Sequence, residues 1–130
     1  MLETSESRVS FEKHRLEQLP YVLDGERRAS VLASLQEVCS HRGWALLAAH
    51  VRTNHVHAVI VGEDRPEKML NALKAYSSRR LNEAGLDMPD RKRWARHGST
   101  RWLWDEESVS AAIRYVVEGQ GELMALFVRS

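Results

Sequence analysis

Residues 44–61 read WALLAAHVRTNHVHAVIV. Two apolar runs, Trp44–Arg52 and His55–Val61, flank the dipeptide Thr53-Asn54. Apolar runs separated by two polar turn-forming residues predict a hairpin of two antiparallel strands. Side chains alternate faces along a strand, so His55 and His57 share one side while Val56 points to the other. A two-residue turn also sets Arg52 opposite His55 and His50 opposite His57, which brings His50 to the histidine side.

Working outward, Val9 and Phe11 alternate with polar neighbours and predict a short first strand, followed by an irregular stretch to Tyr21–Leu23. Leu32, Leu35, Val38 and Cys39 recur at three-to-four spacing, which predicts a helix from about Asp24 to Arg42 with Gly43 as its stop. Pro66 opens a second helix with Leu70, Leu73, Ser77 and Leu81 on one face and Gly85 beyond its end. A loop over 86–98 leads to a strand at Ser99–Trp104. Asp105 then caps a third helix through Glu118, whose inward stripe is Val109, Ala112, Ile113 and Val116. The order strand, helix, strand, strand, helix, strand, helix predicts an α+β, ferredoxin-like sandwich over residues 1–130, with the helices packed on one face of a mainly antiparallel sheet.

The chain has 130 residues, 43% hydrophobic and 28% charged, which fits one soluble globular domain rather than a disordered tail. No apolar run approaches the ~20 residues needed to span a bilayer, so no membrane partner is expected. The polar start, MLETSESRVS, lacks the basic and apolar regions of a signal peptide. A single cysteine, Cys39, cannot form an internal disulfide and sits on the apolar side of its helix, which points to a reducing cytoplasm. The formal net charge of +1 hides a local excess: residues 91–101, RKRWARHGSTR, hold five Lys/Arg and no Asp/Glu. Arg91, Lys92, Arg93, Arg96 and Arg101 with Trp94 among them make a candidate nucleic-acid surface, in which arginines neutralise phosphates and Trp94 or Trp102 stacks on unpaired bases. Trp104 reads equally well as part of the core.

Two imidazoles ~7 Å apart along one face can converge on a single cation, which adjacent histidines could not do. The same spacing also describes partly buried histidines with no ligand. The apolar AVIV that follows places the pair at the entrance to the core.

The run TNHVHAVIV preceded by WALLAAHV resembles the signature of HUH-superfamily transposases with one catalytic tyrosine: the small insertion-sequence transposases and the REP-associated tyrosine transposases. The likeness continues through NALKAYSSRRLN, RWARHGSTRWLW and SVSAAIRYVVEGQG, and spans roughly residues 9–121. It implies that His55 and His57 bind Mg²⁺ or Mn²⁺, which polarises the scissile phosphate of single-stranded or hairpin DNA. It also implies a tyrosine that attacks the phosphorus, becomes joined to the DNA 5′ end and releases a 3′-hydroxyl. A hard cation with open positions suits that role better than a structural zinc, and no cysteine pair accompanies the histidines.

In the family pattern the nucleophile lies on the helix after the basic, tryptophan-containing segment, which selects Tyr115 over Tyr76. Read from its helix alone, Tyr115 sits at the edge of the buried stripe, which favours an amphipathic ring packed at the helix–sheet boundary. The family's third, amide-bearing ligand falls four residues after the tyrosine, and that position here is Gly119. Glu118 or Gln120 is then the expected oxygen donor, unless the third ligand is lost. Two other functions compete: a non-catalytic module of the same fold that binds single-stranded nucleic acid, and a phosphodiesterase that uses water in place of tyrosine. Whether the chain works singly or as a homodimer is open at this point.

Overall fold

The computed structural model describes residues 8–15, 22–88, 91–94, 99–119 and 121–129. Its elements are β1 (Arg8–Arg15), α1 (Gly25–Arg42), β2 (Ala45–Val51), β3 (His55–Gly62), α2 (Pro66–Glu83), β4 (Ser99–Leu103), α3 (Glu106–Glu118) and β5 (Ala125–Val128). The first seven follow the predicted order, and β5 is an addition. The sheet runs β4-β1-β3-β2-β5 with every neighbouring pair antiparallel. The architecture is α+β and ferredoxin-like, extended at one edge by β5.

The helix ends follow from local chemistry. The Asp24 side chain accepts the Arg27 N–H at 2.9 Å, and Gly43 closes α1 at φ 74°, a conformation that favours glycine. Pro66 starts α2 where a missing N–H costs nothing. At α3 the Asp105 carboxylate accepts the Ser108 N–H at 2.7 Å, and this bond holds its carboxyl below the usual range.

The helices divide between the two faces of the sheet. Val31, Leu35 and Val38 of α1 and Met69, Leu73 and Leu81 of α2 pack on Val56, Ala58 and Ile60 of β3. On the other face, Val109, Ala112 and Val116 of α3 pack on Ala48, Val59 and Leu103. The expectation that all three helices share a face is therefore corrected for α3. The reason lies in β3 itself, which is apolar at every position from Ala58 to Val61. Alternation turns Ala58 and Ile60 one way and Val59 and Val61 the other, so both faces need cover. A bulge between Leu46 and Ala48 in β2 carries both Leu47 and Ala48 to the α3 side. Among the described residues no helix is long and apolar enough to cross a membrane.

Candidate active site

The hairpin forms in the register that its turn predicts. The Arg52 N–H donates to the His55 carbonyl at 2.8 Å, Val51 pairs with Val56, and His50 pairs with His57. β3 lies between β1 and β2, so its side chains have strands on both sides. His57 is 2% exposed, and its ring lies nearly parallel to that of half-buried His55, at 13° with centroids 6.0 Å apart. The His55 Nδ1 sits 2.8 Å from Asn54 Oδ1. An amide oxygen can only accept, so Nδ1 carries the proton and the lone pair is on Nε2.

Tyr115 arrives at this pair from α3. Its ring meets His57 edge-on, at 89° with centroids 5.9 Å apart, and 45% of the residue stays exposed. Val109, Ala112 and Val116 are buried at helical spacing, and Tyr115 falls beside that stripe, turned to the sheet without being enclosed by it. His57 thus lies between His55 and the tyrosine. Tyr76 is elsewhere: it packs on the α1–α2 core, with the Arg79 guanidinium 5.0 Å from its ring centroid and His41 at its edge. The sheet separates it from the histidine pair.

Gly119 has an ordinary φ of −88°, so its backbone does not demand glycine. The demand comes from the tyrosine. A Cβ at 119 would lie 2.9 Å from Tyr115 Cδ1 and 2.9 Å from the Tyr115 carbonyl oxygen. The Tyr115 ring and carbonyl together occupy the space that a side chain at 119 would need.

Glu118 is exposed, and among the described residues no group of three or more His, Cys, Asp or Glu side chains could hold a metal ion. Gln120 lies outside the described residues. The pair itself fits a cation: the His55 lone pair is on Nε2, the two rings are nearly parallel, and the Tyr115 side is open to solvent. Two nitrogen donors with open positions suit an ion that takes its other ligands from water or a phosphate.

His50 is the residue that pattern reading placed here without its role. It is fully buried; its Nδ1 lies 3.2 Å from the Val116 carbonyl and its Nε2 accepts the Met124 N–H at 2.9 Å. That fixes the proton on Nδ1. Burial holds its pKa below the ordinary value, opposed by the bond to Val116 and reinforced by the Arg52 charge. With both nitrogens engaged, His50 is not a third ligand, although its register puts it on the histidine side.

The basic segment also reads differently in three dimensions. Arg93 is 2% exposed and donates to Asp87 Oδ2 at 3.1 Å and Asn82 Oδ1 at 2.8 Å. Arg27 reaches the same carboxylate, Nη2 to Asp87 Oδ1 at 3.0 Å, so Asp87 joins α1 to the segment after α2. Trp94 donates to Ser78 Oγ at 2.8 Å and packs on the α1–α2 core. Arg93 therefore serves the fold, and the phosphate contact expected of it is corrected by its burial; Trp94 is half-buried against the same core. Arg91 is half-buried and Lys92 exposed, which leaves both near solvent. Arg96 and the side chains of Arg101 and Trp102 lie outside the described residues. Trp104, expected in the core as readily as on the surface, is 70% exposed.

The ferredoxin-like sheet thus carries paired histidines on its central strand and a tyrosine brought to them by the helix on that face. The sequence matches the model of the family described as "Transposase IS200 like" over residues 15–116, and the chain belongs to that family. His55, His57 and Tyr115 all fall inside the matched span. The fold resembles a REP-associated tyrosine transposase solved bound to a REP hairpin, with a TM-score of 0.68 at 14% identity over 86% of this chain and 66% of that one. The chain thus spans slightly under two thirds of that relative. A second similar structure is a candidate transposase from Deinococcus radiodurans, with a TM-score of 0.64 at 21% identity, covering 92% of this chain and 95% of that one. No curated protein matches the sequence significantly.

Proposed function

We propose that this transposase-family protein nicks and rejoins single-stranded DNA through Tyr115. The observation that supports this best is the meeting of Tyr115 with His57, ring centroids 5.9 Å apart, although they lie on different elements. In the first half-reaction the Tyr115 Oη bonds to phosphorus while the bond from phosphorus to the 3′ oxygen breaks. The phenolic proton leaves to solvent and the departing 3′ oxygen takes one up. The DNA 5′ end is then held as a phosphotyrosine ester. Attack by a 3′-hydroxyl on that ester reverses the step and joins strands, so no external energy source is needed. His55 and His57 would hold Mg²⁺ or Mn²⁺, which supplies Lewis-acid polarisation of the phosphate.

The chain's own contribution is orientation. β3 holds the histidine rings, and the open side of Tyr115 leaves room for a phosphate beside them. Hairpin DNA is the substrate class we favour, since the REP-associated relative was solved with a hairpin.

The test is to incubate the protein with labelled hairpin-containing single strands and Mn²⁺, and to titrate Mn²⁺ separately into wild type and His57→Ala. A covalent protein–DNA species and a loss of Mn²⁺ affinity of about tenfold or more in the variant are expected. Binding without any adduct on either metal would establish a binding module instead. Equal Mn²⁺ affinities would remove the metal from His57.

A further inference from the structure

We propose that His50 is a positioning residue: it fixes the C-terminal end of α3 and so holds Tyr115 against the histidine pair. This rests on the reading of Tyr115 as the nucleophile, but its primary test does not.

A helix ends with carbonyls that have no partner in the next turn. In α3 the Tyr115 carbonyl is taken by the Gly119 N–H at 2.9 Å. The next one, on Val116, lies on the buried side of the helix, where water cannot serve it. His50 serves it from β2, one residue from the tyrosine. The other nitrogen of the same ring accepts the Met124 N–H just before β5 begins. Two residues on, just past the end of β2, Arg52 donates its Nη1 to the Glu122 carbonyl at 2.6 Å. His50 and Arg52 thus hold both the end of α3 and the chain that returns from it.

The arrangement needs a side chain that donates at one corner and accepts at another, on a stem long enough to span α3 and the returning chain. Neutral imidazole meets both needs. Glutamine offers a donor and an acceptor at comparable reach, asparagine offers them on a shorter stem, and leucine fills similar volume with neither.

The experiment compares wild type with His50→Leu, His50→Gln and His50→Asn, each checked for folding by circular dichroism. The primary readout is the nuclear Overhauser contact between the Tyr115 and His57 rings. The second is the single-turnover rate of adduct formation at saturating DNA and Mn²⁺. His50→Leu should lose the ring contact and react ~10²-fold more slowly, the loss that a misplacement of about 1 Å can cause. Its affinities for Mn²⁺ and DNA should change less than about threefold, because His55, His57 and the DNA surface are untouched. His50→Gln should keep the ring contact and His50→Asn should lose it, and these two decide the matter if His50→Leu does not fold. A residue that served stability alone would lower the melting temperature without moving the ring contact or separating rate from affinity. Persistence of the contact in folded His50→Leu or His50→Asn, or its absence in wild type, overturns the proposal. A wild type that shows the contact and forms no adduct overturns the nucleophile reading and leaves His50's role standing.

Discussion

Tyr115→Phe is expected to eliminate the covalent DNA–protein species while leaving fold, metal binding and DNA binding close to wild type. The substitution removes one oxygen atom and keeps the ring whose edge meets His57 at 5.9 Å between centroids. Packing at that contact is therefore preserved, and the tyrosine is itself 45% exposed. What disappears is the atom that bonds to phosphorus, so the adduct should fall by at least ~10³-fold. Tyr76→Phe is the matched control. That ring faces α1 on the far side of the sheet, with Arg79 5.0 Å from its centroid, and its hydroxyl has no path to a phosphate at the histidine pair. Gel-resolved adduct yields from the two variants test this directly. Retention of the adduct in Tyr115→Phe would disprove the assignment, and its loss in Tyr76→Phe would move the nucleophile to α2.

The second large effect is on stability. Asp87 receives Arg93 at 3.1 Å and Arg27 at 3.0 Å, and the three side chains are 12%, 2% and 20% exposed. Asp87→Ala leaves the Arg93 charge buried, with the Asn82 Oδ1 still 2.8 Å from its Nη2. Breaking a buried pair from one side costs about 3–5 kcal/mol, well beyond the worth of the pair itself. With a urea slope of ~1–3 kcal/mol per molar, the unfolding midpoint should fall by more than ~1 M. Arg80→Ala offers the contrast. Its partner Glu37 lies 3.3 Å away, but the two side chains are 44% and 51% exposed, so the loss should stay under ~1 kcal/mol. Equal midpoints for the two variants would show that Asp87 does not clamp the segment.

How much of this was legible beforehand differs by residue. The hairpin, its register and the shared face of His55 and His57 follow from the strand period and a two-residue turn, which are local rules. The α3 start was legible from Asp105, again a local signal. The role of His50 was not, because its partners are the Val116 carbonyl and the Met124 N–H, and backbone groups leave no mark on a side-chain pattern. Arg93 looked like surface because the run around it is basic. The atoms that bury it belong to Asp87 and Asn82, outside that run. Trp94 and Trp104 differ for the same reason: a tryptophan suits a core or a platform, and only Ser78 and the α1–α2 core distinguish the first. β5 has four residues, three of them half-buried and the last exposed, too short and too mixed for a periodicity to declare itself.

The division of the helices between the two faces of the sheet has a consequence for motion. α1 and α2 brace one another, whereas the principal contacts of α3 are with β2 and β3. It anchors through three buried side chains, Val109, Ala112 and Val116, against five on α1 and seven on α2. Detaching α3 gives up only that smaller share of apolar contact, so its opening free energy should lie well below that of global unfolding. In native-state hydrogen exchange, the amides of residues 110–118 should then exchange as a cooperative unit ahead of those of α1. The element that carries the tyrosine would be a latch on a rigid plate, able to lift and reseat while the rest of the fold stays closed.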